Sequence, residues 1–397
     1  MSIRAARRIG RYAAITAGIT LSLSMTRADA GGIYSITGLG SGTPNGISDA
    51  GQVLIGNSLI QNGVSTNVIP NTIYGGINSS ISSGGTIVYT GPLTSLSYES
   101  SAHVIKNGVD YDAGAVPYIG TPYGHDHSSP RAVNDAGTVV GESHTNGRLE
   151  QAFTSTPGPD GAYHPVSLGS NGGTVSTATA INNSGTAAGW TDVPGEWKNQ
   201  AFVGSSHNTI GTLGGQNSTA TSINDKGQVV GWSNIATDWK PPSNPQGYFT
   251  PEPTHAFIYQ NGKMTDLGTL PGYTNSAATA INAMGQIVGH LSNTQDTIST
   301  YSYSLFSSPL RAAMWAPNAT SPIDLNTLLP GGSGWILQDA TGINASGLIT
   351  GWGTLNGQEQ AFLLTPGDSA AVPEPGSLFV FGLITVASVM ARRKLRV

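Results

Sequence analysis

Apolar residues in this chain come in short runs, each approached through small alternating side chains and each broken by a turn. Ser218, Ala220 and Ser222 lead to Ile223, and Ser276, Ala278 and Ala280 lead to Ile281. A period of two is that of a strand, and small side chains along one face predict close packing against a neighbouring sheet. After Ile223 the chain reads Asn224-Asp225-Lys226-Gly227, and Gln228-Val229-Val230 opens a returning strand. This phrase predicts a hairpin tip. Asn bonds backbone groups two positions on, the next two residues suit a type I turn, and Gly supplies the positive φ that closes it.

The phrase recurs. Nearly full copies stand at 181–185, 223–227, 281–285 and 343–347, and a close copy, Val133-Asn134-Asp135-Ala136-Gly137, is followed by a second glycine at Gly141. Two degenerate copies precede it: Ile47-Ser48-Asp49-Ala50-Gly51 reaches its second glycine late, at Gly56, and Ile81-Ser82-Ser83-Gly84-Gly85 has Tyr89 in that place. Two companions travel with the turn. One is an Ala-Phe strand (Ala152-Phe153, Ala201-Phe202, Ala256-Phe257, Ala361-Phe362), with Ala313-Met314-Trp315 and Ala102-His103-Val104 as looser versions. The other is a strand like Asp266-Leu267-Gly268-Thr269-Leu270, echoed at Ile210-Gly211, Ser167-Leu168-Gly169 and Asp324-Leu325.

Each unit therefore offers four short strands. Turn glycines 51, 85, 137, 185, 227, 285 and 347 are 34 to 62 residues apart; a blade of a propeller takes roughly 40 to 50 residues, whereas stacked coils need a near-constant period. The last unit stops before its fourth strand, and residues 33–40 resemble the missing piece. A ring closed by both ends removes the exposed edges of an open array. The expected fold is all-β: a seven-bladed β-propeller over residues 31–368, its last blade closed by the N-terminal strand, with a short hydrophobic helix at each terminus.

Composition agrees with this picture. Glycine takes 54 of 397 positions and apolar residues 38%, enough for many small cores between blades but not for one large core. Long stretches at 236–254 and 291–308 fall between repeat elements and read as surface loops. There is no cysteine, which excludes disulfides, zinc-thiolate sites and thiol nucleophiles.

The termini read as addresses. Arg4, Arg7, Arg8 and Arg11 precede an uncharged stretch, and Ala28-Asp29-Ala30 has the pattern of a signal peptidase site, so residues 1–30 are expected to be a signal peptide. At the other end, Val372-Pro373-Glu374-Pro375-Gly376 leads into an uncharged segment, 377–391, and then Arg392-Arg393-Lys394. As a helix that segment would reach roughly 22 Å, short of the ~30 Å hydrocarbon core, with the basic end on the cytoplasmic side. This arrangement, residues 369–397, resembles the PEP-CTERM sorting signal of bacteria that make exopolysaccharide. The resemblance implies recognition by an exosortase, cleavage near Pro373-Glu374-Pro375, and a transient anchor through the hydrophobic segment and its Arg392-Arg393 end. The repeats carry a second resemblance: "HAFIYQNGKMTDLGTLPGYTNSAATAINAMGQIVGH" (255–290) and "QAFVGSSHNTIGTLGGQNSTATSINDKGQVVGW" (200–232) are similar to units of the HAF family of extracellular repeats. That family supplies no catalytic residues to carry over.

Charge narrows the partners. Between residues 31 and 368 stand eight Lys and Arg against 20 Asp and Glu, a net charge of −12. Such a surface disfavours nucleic acid and anionic lipid, so membrane contact is expected only through the C-terminal segment.

Candidate chemistry is sparse. His125, Asp126 and His127, with His144 downstream, alternate as metal ligands could, yet read as a polar loop. The 40–46 segment lacks the lysine of a phosphate loop, and no GxSxG element has supporting partners. No metal or cofactor is expected. Asp49, Asp135 and Asp225 sit in the repeat turns, where Asp is favoured for local reasons. Trp190, Trp232 and Trp352 follow the second glycine of their units, with His290 at the equivalent place; they read either as inter-blade packing or as a ring that stacks on sugars. The expectation is a non-enzymatic, exported surface or matrix protein binding exopolysaccharide or another envelope component. The alternative is a polysaccharide-acting glycoside hydrolase or lyase on the same scaffold, which needs two carboxylates facing one cleft.

Overall fold

The computed structural model describes residues 33–70, 78–92, 100–114, 128–145, 149–196, 198–206, 208–235, 253–293 and 310–367. The expected signal peptide, its Ala28 and Ala30 site, the sorting residues Pro373 to Pro375, Arg392 and Arg393, both terminal helices and His125 to His127 lie outside them. No helix among the described residues is long and apolar enough to cross a membrane.

Seven four-stranded antiparallel sheets form the blades of a β-propeller. Their innermost strands are Pro44–Ile47, Ser79–Ile81, Ser128–Val133, Ser176–Ile181, Gly214–Ile223, Asn275–Ile281 and Trp335–Ile343, numbered here as blades 1 to 7. The predicted closure is present. Blade 7 takes its outer strand, Tyr34–Gly40, from the start of the chain, paired antiparallel to Gln358–Pro366 with Tyr34 opposite Pro366.

Each sequence phrase now has its structural reason. The repeat turns are hairpins in which Gly137 N donates to Asn134 O and Asn134 N to Thr138 O, repeated at Asn182, Asn224, Asn282 and Asn344. The closing glycines sit at φ of 74 to 93°, a region only glycine enters without strain. The second glycine serves packing. At Gly189 a Cβ would run into the Thr177 carbonyl and crowd the ring of Phe202, which lies opposite on the third strand. That is why the second glycine and the Ala-Phe strand travel together.

Alternating serines join blades. Ser218 Oγ accepts from Ala201 N at 2.9 Å and donates to Gly211 O at 2.6 Å, both in the preceding blade. Ser128, Ser176 and Ser276 repeat the arrangement. The hydroxyl satisfies an N–H released where the third strand bulges away from the fourth.

The core is divided as composition implied. Ala180, Ala188 and Ala201 of blade 4 pack with Ala220, Ile223 and Phe257 of blade 5, and comparable clusters occupy other seams. Phe153, Phe202, Phe257 and Phe362 are fully buried, each contributing about 2 kcal/mol through the apolar area removed from water.

Chain direction separates two ends of the ring. In every blade the innermost strand runs up to the repeat turn, so all seven turns gather at one end. Strands flanking the long insertions, such as Val229–Ile235 with Thr254–Gln260 and Ile287–Ser292 with Arg311–Trp315, part at the opposite end. Ile33 and Gly367 leave at the turn end: Gly367 N donates to Ile33 O, and Pro366 lies against Gly347.

Candidate functional site

A central cavity of about 450 Å³ opens among the innermost strands at the turn end, lined by the repeat phrases of all seven blades. Its deepest framework is a chain of buried asparagines. Asn134 Nδ2 donates to Asn182 O, Asn182 to Asn224 O, Asn224 to Asn282 O, Asn282 to Asn344 O and Asn344 to Ser48 O, at 2.9 to 3.1 Å. Each amide oxygen meanwhile accepts from its own turn, as in Leu348 N to Asn344 Oδ1. One side chain thus closes a hairpin and ties it to the next blade. Sequence reasoning found the first role and missed the second, which needs the neighbouring blade in place.

The residue after each asparagine forms the cavity rim. Asp135 Oδ1 accepts from Gly84 N at 2.6 Å, Asn183 Oδ1 from Asp135 N, Asp225 Oδ1 from Asn183 N, and Asp49 Oδ1 from Ala345 N. Between blades 1 and 2, Asp49 N donates instead to Ser83 O. Asp49, Asp135 and Asp225 therefore cap backbone of the preceding blade rather than of their own turns, and they also line the cavity. Asn183 Nδ2 donates to both Asp135 Oδ2 and Asp225 Oδ2, at 3.0 and 3.2 Å, so two carboxylates share one amide nitrogen.

Burial works against the charged form of Asp135, but hydrogen bonds from Ser82, Gly84 N–H, Ser83 and Asn183 outweigh it and hold its carboxyl below the usual Asp range. Deeper in the cavity, Thr179 and Thr221 reach the carbonyls of Ala220 and Ala278 in the following blades at 2.7 and 2.8 Å. Blade 3 departs from this rule. Arg131 takes the threonine position and forms a forked pair with the buried Glu142 at 2.7 and 2.9 Å. Its only advance signal is that it replaces threonine in the repeat.

The tryptophans stand elsewhere. Trp190, Trp232 and Trp352 are half-buried on the second strands, each opposite the alanine of an Ala-Phe strand. They are not among the residues lining the central cavity. His290, at the equivalent place in blade 6, bonds Asp339 of blade 7 at 3.0 Å, so this position faces the next blade. Other imidazole-carboxylate pairs lie on outer strands: His255 with Asp266 at 2.8 Å, and His103 with Asp110 at 3.3 Å. Burial raises the Asp266 carboxyl, while the His255 and Gly268 N–H bonds and the His255 charge lower it further, for a net depression. Among the described residues no group of three or more metal-binding side chains occurs.

No protein-family model matches the sequence, and no curated relative matches it. Solved structures do share the architecture. The β-propeller domain of the Trilobed protease from Pyrococcus furiosus matches at TM-score 0.45 and 7% identity, over 85% of this chain and 96% of that one. A gluconolactonase from Xanthomonas campestris matches at TM-score 0.37 and 9% identity, over 85% and 99%. An acylaminoacyl peptidase from Pyrococcus horikoshii matches at 0.39 and 11%, over 72% of this chain and 43% of that one. At such identities and TM-scores the likeness assigns no activity; the fold rests on the seven sheets of the chain itself.

These matches correct the expectation that the chain is not an enzyme. They include the β-propeller domain of a protease and a gluconolactonase. The physical ground for exclusion also falls, because Asp135 and Asp225 bring together at one rim the carboxylates that sequence spacing left apart.

Proposed function

We propose that the chain is an exported surface or matrix propeller that binds exopolysaccharide, or another hydroxyl-rich envelope component, at the central cavity of the turn end. The observation that carries this reading is the rim itself: carboxylates and amides of consecutive blades converge on one opening and can offer several acceptors and donors to one ligand. The resemblance of the termini to a signal peptide and a PEP-CTERM segment, and of the repeats to the HAF family, supports export and delivery to the surface by signal peptidase and exosortase. The net negative body agrees with a neutral glycan better than with nucleic acid.

A hydrolase or lyase reading is favoured by one observation, the two carboxylates bridged by Asn183. Glycoside hydrolysis asks for one carboxyl held protonated near neutral pH, whereas Asp135 is held low. A glycan array probed with the purified chain, with release of reducing sugar followed in parallel, separates the readings. Binding lost in Asn183→Ala supports the cavity; binding lost instead in Trp190→Ala, Trp232→Ala and Trp352→Ala moves the site to the second strands. Sugar release abolished by Asp225→Asn establishes catalysis.

A further inference from the structure

Seven near-identical inter-blade steps run round the rim, and two of them are incomplete. At four steps a carboxylate or amide oxygen from the residue after the turn asparagine (or serine) caps an N–H of the preceding blade, and at a fifth the Ser83 carbonyl does so. In blades 6 and 7 that residue is Ala283 and Ala345. Both side chains end at Cβ. The N–H groups that should be capped, Asp225 N and Ala283 N, find no acceptor among the described residues, and both residues line the cavity. The repeat itself specifies what is missing there: an oxygen at each of two adjacent positions.

The surroundings define which oxygen. Asp225 carries its own carboxylate at the edge of this gap, engaged on one side by Asn183. A second carboxylate at the gap would meet like charge, whereas a hydroxyl accepts from an N–H and can donate to Asp225. On the other side the arc is apolar: Ala283 and Ala345 both line the cavity, and Ala283 is exposed. The opposite arc carries Asp49, Ser83, Asp135 and Asn183. The rim is thus polar along blades 1 to 5 and apolar along blades 6 and 7.

We infer that the gap at blades 5 to 7 is a subsite for one neutral pyranose ring, two of whose hydroxyls take the places of the missing side-chain oxygens and whose C–H face rests on Ala283 and Ala345. The inference rests on the cavity-binding reading above and gives it a position and a ligand class. A hydroxyl pair receives the N–H of Asp225 and of Ala283, and one of the pair donates to the Asp225 carboxylate. Sugars with an apolar face and a polar edge match an opening divided in the same way.

The repeat also supplies the decisive variants. Ala283→Asn and Ala345→Asn restore, without adding charge beside Asp225, the oxygen that Asn183 carries in blade 4, so they fill the gap while following the fold's own pattern. Methyl-labelled purified chain would be titrated with the methyl glycosides of glucose, galactose and mannose, and separately with glucuronic acid. Expected are shifts of the Ala283 and Ala345 methyl signals with at least one neutral glycoside, and at least a tenfold weakening in Ala283→Asn with an unchanged or raised melting temperature. Should Ala283→Asn fold poorly, Ala345→Asn carries the test, with weakening expected there too. Undiminished affinity in these variants, or shifts with glucuronic acid alone, overturns the inference. Glycan binding that moves only Trp190, Trp232 or Trp352 signals overturns the subsite and leaves a glycan-binding propeller standing, and silence toward every glycan on the array removes both.

Discussion

The two ends of the propeller obey different rules. At the turn end, every blade contributes a short hairpin of nearly constant length, and asparagine amides pass from blade to blade at 2.9 to 3.1 Å over five of the seven steps. At the other end the strands part into connections as different as the one from Ile235 to Thr254 and that from Asp192 to Asn199. The difference teaches where a ring spends its sequence. Residues that must satisfy a neighbour's backbone recur, because each leaves an unpaired buried group when lost. Connections outside that pattern are free to lengthen, since closing a longer loop costs little.

Four experiments would break or sharpen this contrast. Largest in effect, deletion of residues 31–40 removes the strand Tyr34–Gly40 and the buried Tyr34. It leaves blade 7 with an open edge at the turn end, and should cost about 5 kcal/mol or more, comparable with a whole domain's stability. Thermal melting by circular dichroism would show loss of the cooperative transition; an unchanged melt would mean that ring closure is not what holds the fold.

Next, Asn282→Ala removes the bond to Asn344 O and the caps to Met284 N and Gln286 N in a buried place, and should cost about 3 kcal/mol. Ser48→Ala, in a degenerate turn whose hydroxyl serves only its own hairpin through Gln52, should cost about 1 kcal/mol. Equal losses in urea denaturation would show that the inter-blade bond adds nothing.

A smaller effect concerns pH. Because the folded Asp135 carboxyl is held below its ordinary value, its stabilisation is present above about pH 4 and is lost as pH falls through the lower folded value. Asp135→Asn keeps the acceptor for Gly84 N and removes the titration. Melting temperatures of the two proteins should therefore converge as pH drops from 5 to 2. A constant difference across that range would contradict the assignment.

Smallest of all, replacing residues 236–252 by a short Gly-Ser connection should change stability by no more than about 0.5 kcal/mol. A loss of several kcal/mol would make that end a structural participant, and the contrast between the two ends would fall.

Much of the architecture was legible in advance. Blade number and ring closure by residues 33–40 follow from counting the repeats and finding the last one incomplete, and the hairpin turns follow from the pattern within one unit. The site was legible only in part. Asp49, Asp135 and Asp225 were visible as turn residues, but the sharing of Asn183 by two of them joins blades 3, 4 and 5. Arg131 and Glu142 stand 11 residues apart on adjoining strands; only the broken repeat at Arg131 marked the place. Trp190, Trp232 and Trp352 were found as a periodic set, yet period alone does not reveal whether a side chain faces the axis or the next blade.

What the sequence by itself determined is whatever depends on neighbours along the chain: strand period, turn chemistry at Asn224 to Gly227, the glycines whose backbone needs positive φ, and the repeat that makes one unit predict the next. What only the tertiary structure decided is whatever depends on the step from blade to blade. The Asn282 amide reaches Asn344 O across 62 residues, and Asn344 reaches Ser48 O across 296. Those separations have no local signature, because the groups meet only after each blade has curled round a common axis and brought its turn to the same end.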